Sequence, residues 1–279
     1  MRLNLNIDSL RVYQGYKKNV SKNATAMERV SSGLQINSAK DNPIKLEKSE
    51  NIKMKLKSLE SAEKNLQNCA SMIQTVDIAM STISDVIIRM KELAVQASSD
   101  TLNEGDREKI QNEINELADQ VNEVSDKAEF NGNKLLNGVT PDGNDIEFKI
   151  MQAGTEVGEV IKIPYFKVDS ETLKIDKLNV LTRVDANESL EKIDAAIIKL
   201  NSYRSKYGAL ENRMESSIEM TEDSYLSLES TRSRIIDADV AEEIINVSSS
   251  GLLIEAATAI LAQSNQFPKD VLNILSKLM

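Results

Sequence analysis

Between Pro43 and Ser98 the chain places an apolar residue every seven positions: Ile52, Leu59, Leu66, Ile73, Met80, Ile87 and Ala94. A second series, Ala62, Cys69, Val76, Ile83, Met90 and Ala97, runs three residues behind the first. Two such series form the a/d seam of a coiled coil. Asp41-Asn42-Pro43 supplies a start signal, a polar cap followed by Pro at the first helical position. Ser98-Ser99-Asp100 and Gly105 supply the stop. The predicted helix is roughly 80 Å long at 1.5 Å per residue, far beyond an ordinary globular helix. A second helix is predicted from about Glu104 to Ala128, with Ile110, Ile114, Leu117, Val121 and Val124 on one face. A third heptad series, Ile193, Leu200, Tyr207, Met214, Thr221, Leu228 and Ile235, predicts a helix of about 45 residues from Asn187 onward. Three such helices close a bundle by turning their apolar stripes inward.

Only 10 Gly and 4 Pro punctuate 279 residues, which argues against an all-β sandwich or barrel with its many turns. Five of the glycines lie between Gly132 and Gly158, so 131–186 is the irregular or β part. Ile146–Met151 and Val160–Ile163 read as two short strands, with Gly154, Thr155 and Gly158 in their connection. The expected fold is mainly α. It is a long antiparallel helical bundle or coiled coil with paired terminal helices and a small central β-hairpin region.

The two ends carry opposite charge, a net +4 over residues 1–34 and a net −4 over residues 237–279. Both have apolar stripes: Ile7, Leu10, Val20, Met27 and Leu34 at one end, Leu252, Leu253, Ile260, Leu261, Val271, Leu272 and Leu275 at the other. The ends are therefore expected to pair. One such pair buries little apolar area against the entropy of ordering it, so the ends are expected to fold when packed against other copies.

Absences exclude much chemistry. Histidine is missing, which removes Ser-His-Asp and Cys-His catalysis and the HExxH zinc site. The single Cys removes intrachain disulfides and cysteine-cluster metal sites. No cofactor is expected. The whole chain carries −10, and the only basic excess is a modest one in the first 66 residues, so no nucleic-acid partner is expected. No apolar signal-peptide core follows Met1. The best apolar stretch, Gly251–Ala262, is too short to span a membrane and holds Glu255, so no membrane insertion is expected.

Several long motifs carry a resemblance. Ser32-Gly33 followed by Leu34-Gln35-Ile36-Asn37-Ser38-Ala39-Lys40-Asp41, and MRLNLNIDSL at the start, resemble the N-terminal signature of bacterial flagellin. Arg89–Ala97 resembles its RxxELAVQA segment, and Glu129–Leu136 its EFNGxKLL. Ser233–Asp239 and Ala259–Gln266 resemble SRIxDxD and AxLAQxNQ near the other end. The match covers about 1–138 and 187–279, in the right order.

The resemblance implies a non-enzymatic, extracellular structural subunit of the flagellar filament, exported unfolded through the flagellar type III apparatus. It implies that 1–40 with 240–279 form terminal helices in the filament core, Ile7, Leu10, Leu34, Ile36, Leu252, Leu253, Ile260, Leu261, Val271, Leu272 and Leu275 among them. The helical bundle, 41–239, is the next layer outward, and no large outer domain is expected in the short middle. Implied partners are other copies of the chain, the flagellar cap, hook-junction proteins, an export chaperone and the animal innate flagellin receptor. Arg89, Leu93 and Glu113 are the expected contact for receptor and neighbouring subunit: Arg89 and Leu93 share a helix face, and Glu113 returns on the next helix. Read by themselves, Arg89 and Glu113 are solvated charges.

There are departures. Asn42–Ser49 replaces a segment that in the family resembles DAAGLAIS, bringing charges at Lys45, Glu47 and Lys48. Ile88 stands where many receptor-read members have Gln. Ser248-Ser249-Ser250-Gly251 is poor helix sequence, so the last helix is expected to bend or break there. Cys69 and the methionines at helical spacing read as core. Asp237 and Asp239 read as helix-end groups rather than a cation site. Two other functions compete: a flagellin-like hook-filament junction protein, and a metalloprotease-bearing flagellin, which zero histidine opposes.

Overall fold

The computed structural model describes residues 6–137, 148–156 and 158–278, with side chains through Asp270. Among them the elements run α1 (Ile7–Ser32), α2 (Pro43–Ala97), α3 (Glu104–Lys127), β1 (Glu129–Phe130), β2 (Asn133–Lys134), β3 (Phe148–Gln152), β4 (Val160–Pro164), α4 (Arg183–Ile236) and α5 (Val240–Leu278). The chain divides into two compact units, Met1–Met54 with Ser227–Met279, and Lys55–Leu226.

The second unit holds the core. Every member of both heptad series from Ala62 to Ala97 is buried, which is why the seven-residue spacing had to be kept. α3 brings Ile110, Ile114, Ala118 and Val121 to the same core; α4 brings Ile193, Ala196, Leu200, Tyr207 and Met214. Polar pairs fix the stagger outside this seam. Arg204 of α4 grips Asp77 of α2 with two nitrogens at 2.9 and 3.3 Å, and Lys91 meets Asp194 at 2.6 Å. The pairing order makes α2 and α4 antiparallel. Between α2 and α3, Arg107 donates to the Ala97 and Ser99 carbonyls at 3.1 and 3.0 Å, satisfying groups left open where α2 ends.

The described part of the middle is ordered by this bundle. β3 and β4 pair antiparallel, with Met151 opposite Ile161. The expected first strand began at Ile146; its first two residues lie outside the described residues, and β3 runs one residue further, to Gln152. β1 and β2 form a second, smaller hairpin that the strand search missed. Its turn is Asn131-Gly132, both at positive φ, 50° and 76°, the backbone such two-residue turns require. After β4 a strap of loop and turns, 165–182, buries Val168, Leu173, Ile175, Leu178 and Val180. Gln111 of α3 pins it with both ends of its amide, donating to the Leu178 carbonyl and accepting from the Val180 amide, each at 2.8 Å. Phe166 stacks on Tyr203 of α4 at 4.1 Å. α4 starts at Arg183, four residues before the expected Asn187, and is 54 residues long. Ala186 is buried, so the strap's core contact extends the helix backwards.

In the first unit α1 and α5 pair antiparallel. Asn6 caps α1 by accepting from the Ser9 amide at 3.1 Å, and Gly33 ends it at φ 71°. Asp239 caps α5 through the Ala241 and Glu242 amides at 3.0 and 3.2 Å. Asp237 accepts from the Ser233 hydroxyl at 2.6 Å. A short backbone bridge joins the helix ends: Gln35 donates to the Ile236 carbonyl at 2.6 Å and Ala238 to that of Gly33 at 2.9 Å. The expected break in the last helix is corrected: α5 runs without interruption through Ser248–Gly251. Ser250 is buried and donates to the Asn246 carbonyl, while Asn23 of α1 donates to its hydroxyl at 2.9 Å. A tertiary partner thus offsets the weak local propensity.

Candidate functional site

The surface of the first unit is unusual for what it leaves bare. Among the described side chains of α1 and α5 the buried apolar ones are two alanines, Ala26 and Ala257. Twelve large ones stand in solvent, Ile7, Leu10, Tyr13, Val20 and Met27 on α1 and Val240, Ile244, Ile245, Leu252, Leu253, Ile260 and Phe267 on α5, while Val12, Tyr16, Val30, Val247, Ile254 and Leu261 are half-buried. Leu252 and Phe267 are 68% and 70% exposed. Apolar residues that face outward along two long helices form a surface far larger than the scattered patches of an isolated protein. A polar line runs between α1 and α5 beside the half-buried groups: Arg29 with Glu243 at 2.9 Å, Asn23 with Val247 and Ser250, Asn6 with Ser264.

Of the expected assembly residues, Ile7, Leu10, Leu252, Leu253 and Ile260 are exposed, and Leu261 is half-buried. Leu34 is half-buried too, and bridges to Asp237. Ile36 is 5% exposed and packs within its own chain, because the turn after α1 folds it inward. Val271, Leu272 and Leu275 lie outside the described side chains. That turn is held by Asp41, whose carboxylate accepts from the Ser38 amide, the Asn37 amide and the Ser38 hydroxyl at 3.0–3.1 Å. Those amides hold the Asp41 carboxyl below its ordinary pKa. The departing charges Lys45, Glu47 and Lys48 are all exposed. By length and composition α2 and Val240–Asp270 of α5 are both long and apolar enough to cross a membrane. That corrects the shorter estimate made from Gly251–Ala262. The seam of α2 is already occupied by the bundle core; the apolar surface of α5 is the open one.

The second candidate surface lies in the second unit. Arg89 sits between two carboxylates, Glu113 on α3 at 2.9 Å and Glu92 on its own helix at 3.1 Å. Both raise its pKa, Glu113 the more. The expected approach of Glu113 to Arg89 is therefore made. Leu93 does not join them at the surface: it is 3% exposed and belongs to the core. Four residues on from Arg89 is just over one helical turn, and that step crosses the edge of the buried stripe. Ile88 and Val95 are the exposed apolar groups of this stretch of α2, at 46% and 53%. Cys69 is fully buried, and burial pushes its thiol up to about 11.

Comparison with known proteins identifies the family. Residues 3–140 match the bacterial flagellin N-terminal helical region and residues 190–275 the bacterial flagellin C-terminal helical region. The chain is 31% identical to a flagellin of Halalkalibacterium halodurans over 277 residues, 99% of this chain and 100% of that one. It is 32% identical to a flagellin of Bacillus subtilis, again over 99% and 100%. Among solved structures it is similar to the flagellin of Bacillus cereus, with a TM-score of 0.51 and 28% identity over 56% of this chain and 88% of that one. Two long helical regions matched in order, full-length relatives and a shared helical fold establish that this chain belongs to the bacterial flagellin family.

Proposed function

We propose that the bare apolar faces of α1 and α5 are what polymerise. As a flagellin, the chain is a structural subunit of the extracellular flagellar filament, built from copies of itself, and not an enzyme. The observation that carries the finer reading is the exposure of large apolar residues along both terminal helices. Fully burying one such side chain contributes about 1.5–3 kcal/mol, so a dozen half-exposed ones hold back on the order of 10 kcal/mol until neighbours cover them. In this reading 1–40 with 240–279 line the filament core and 41–239 stands outside it as the bundle. Head-to-tail contacts of one surface with a different one then build an open helix rather than a closed ring.

The chain leaves the cell unfolded through the flagellar type III apparatus, its bare ends held first by an export chaperone. The cap and the hook-junction proteins then hold the two ends of the filament. Arg89 and Glu113 form an exposed charged contact for a neighbouring subunit and for the animal innate receptor.

Electron microscopy of the purified chain after precipitation and warming tests the main reading. Long filaments are expected; a chain that never extends alone is a junction protein instead. For the second surface, receptor signalling by monomer and filament assembly are measured side by side for wild type and Arg89→Ala. A loss in either is expected, and no change in both leaves Arg89 a solvated charge.

A further inference from the structure

α5 contains a proline inside the helix, Pro268. Proline has no N–H, so the carbonyl four residues earlier, that of Ser264, loses its ordinary helical donor. The structure supplies another from across the pair. Asn6 Nδ2 of α1 donates to the Ser264 carbonyl oxygen and to Ser264 Oγ, each at 3.1 Å. The Asn6 Oδ1 at the same time caps α1 by accepting from the Ser9 amide at 3.1 Å. One amide thus meets an orphan donor on its own helix and an orphan acceptor on the other, using both of its N–H groups.

We propose that Asn6 is a register-setting residue, cross-linking the start of α1 to the carbonyl that Pro268 frees on α5, so that the terminal helices pair at one stagger. The proposal rests on the reading that these helices work as a pair in the filament. Half-buried apolar groups, Val12, Tyr16 and Val30 on α1 and Val247, Ile254 and Leu261 on α5, repeat at helical spacing, so they fit more than one stagger. The polar line selects one. Asn23 Nδ2 donates to the Val247 carbonyl and to Ser250 Oγ, both at 2.9 Å, and Arg29 meets Glu243 at 2.9 Å. Consider a slip that brings residues four further along α1 into these places. Leu10, Met27 and Gly33 would then replace Asn6, Asn23 and Arg29, and none has a side-chain donor. Polar groups placed along the seam of a helix pair are known to fix register in this way, at some cost in stability.

Asn6 differs from Asn23 in one respect that makes it testable. The Val247 carbonyl lies four residues before Gly251, which keeps its N–H; the Ser264 carbonyl lies four before Pro268, which has none, and accepts from Asn6. The experiment is a double-mutant cycle on the full chain, with the critical concentration for filament growth from seeds as readout. Asn6→Ser keeps a capping oxygen but not the reach to α5. Alone it should raise the critical concentration about five-fold, the size of one partly solvated hydrogen bond. In a Pro268→Ala background, where the helix supplies its own donor to Ser264, the same change should have almost no effect. Asn23→Ala should act equally in both backgrounds. Equal effects of Asn6→Ser with and without Pro268 would overturn the proposal and leave Asn6 a cap. If Asn6→Ser abolishes growth, restoration by Pro268→Ala supports the proposal and failure to restore overturns it. Wild-type chain that forms no filaments at all would instead sink the assembly reading itself.

Discussion

The two compact units are built from similar helices and differ in where their apolar residues point. In 55–226 the a and d positions of α2 are sealed by α3, α4 and the strap, and Leu66, Ile73, Met80, Ile83 and Ile87 have no exposure at all. In the terminal unit the buried apolar groups of α1 and α5 are two alanines, beside serines, asparagines, an ion pair and the half-buried Val12, Tyr16, Val30, Val247, Ile254 and Leu261, with the other isoleucines and leucines outside. The first arrangement satisfies a chain folding alone. We propose that the second is completed only when neighbours cover it, since a helix pair with two buried apolar side chains, both alanine, gains little against the entropy of ordering it. The same chain thus carries a finished fold and an unfinished one.

The sharpest way to break the comparison is to remove the unfinished part. A chain trimmed to 41–239 should remain soluble and helical by circular dichroism and should lose polymerisation completely. Filaments from the trimmed chain would mean that the bundle assembles by itself. Hydrogen exchange on dilute full-length monomer comes next. Amides before about Leu34 and after about Val240 should exchange at least 100-fold faster than those of 66–97, as expected of a segment with few buried contacts. Slow exchange at both ends would show that the α1–α5 pair needs no neighbours.

Point substitutions should separate the units by energy. Ile87→Ala removes a fully buried side chain and should cost the monomer roughly 3 kcal/mol of stability in denaturant. Leu252→Ala should leave that transition in place and slow filament growth instead. Equal destabilisation of monomer by both would erase the distinction. Cys69 offers a gentler probe. It is buried and its thiol is pushed up to about 11, so native protein at pH 8 should resist alkylation and react on unfolding. Rapid native labelling would break the heptad register.

The smallest effect concerns the turn after α1. The Asp41 carboxyl is depressed by bonds that only the folded turn supplies. Its stabilising effect is therefore present above the ordinary carboxylate pKa and is lost as pH falls through the lower, folded value. Amide shifts of Asn37 and Ser38 in filaments should move together with a midpoint below about 3.9. A midpoint at or above it would show an unheld side chain.

Much of this was readable before any coordinates. The seven-residue spacing marked α2 nearly to the residue, because a helix with one buried stripe must repeat its apolar positions at helical period. The Pro43 start and the Glu104 start were readable from capping chemistry, which is local. The strap was not: Val168, Leu173, Ile175, Leu178 and Val180 share no period, and their backbone partners include distant groups such as the Leu136 carbonyl for Val168 and Gln111 for Leu178 and Val180. Leu93 was placed on the surface because spacing gives its angle from Arg89, while the width of the buried stripe depends on how many neighbours close over it. The weak Ser248–Gly251 run was read from propensity alone, and Asn23, some 220 residues away in sequence, reverses it.

The sequence by itself determined which long segments are helical, where α2 and α3 begin, and that no histidine chemistry exists in this protein. Those properties follow from side-chain type and short-range spacing. Only the tertiary structure decided which apolar faces are closed and which stay open, and that Asn6 stands opposite the carbonyl freed by Pro268. These depend on which distant residues meet, and a hydrogen bond or a buried contact exists only once both partners are in place.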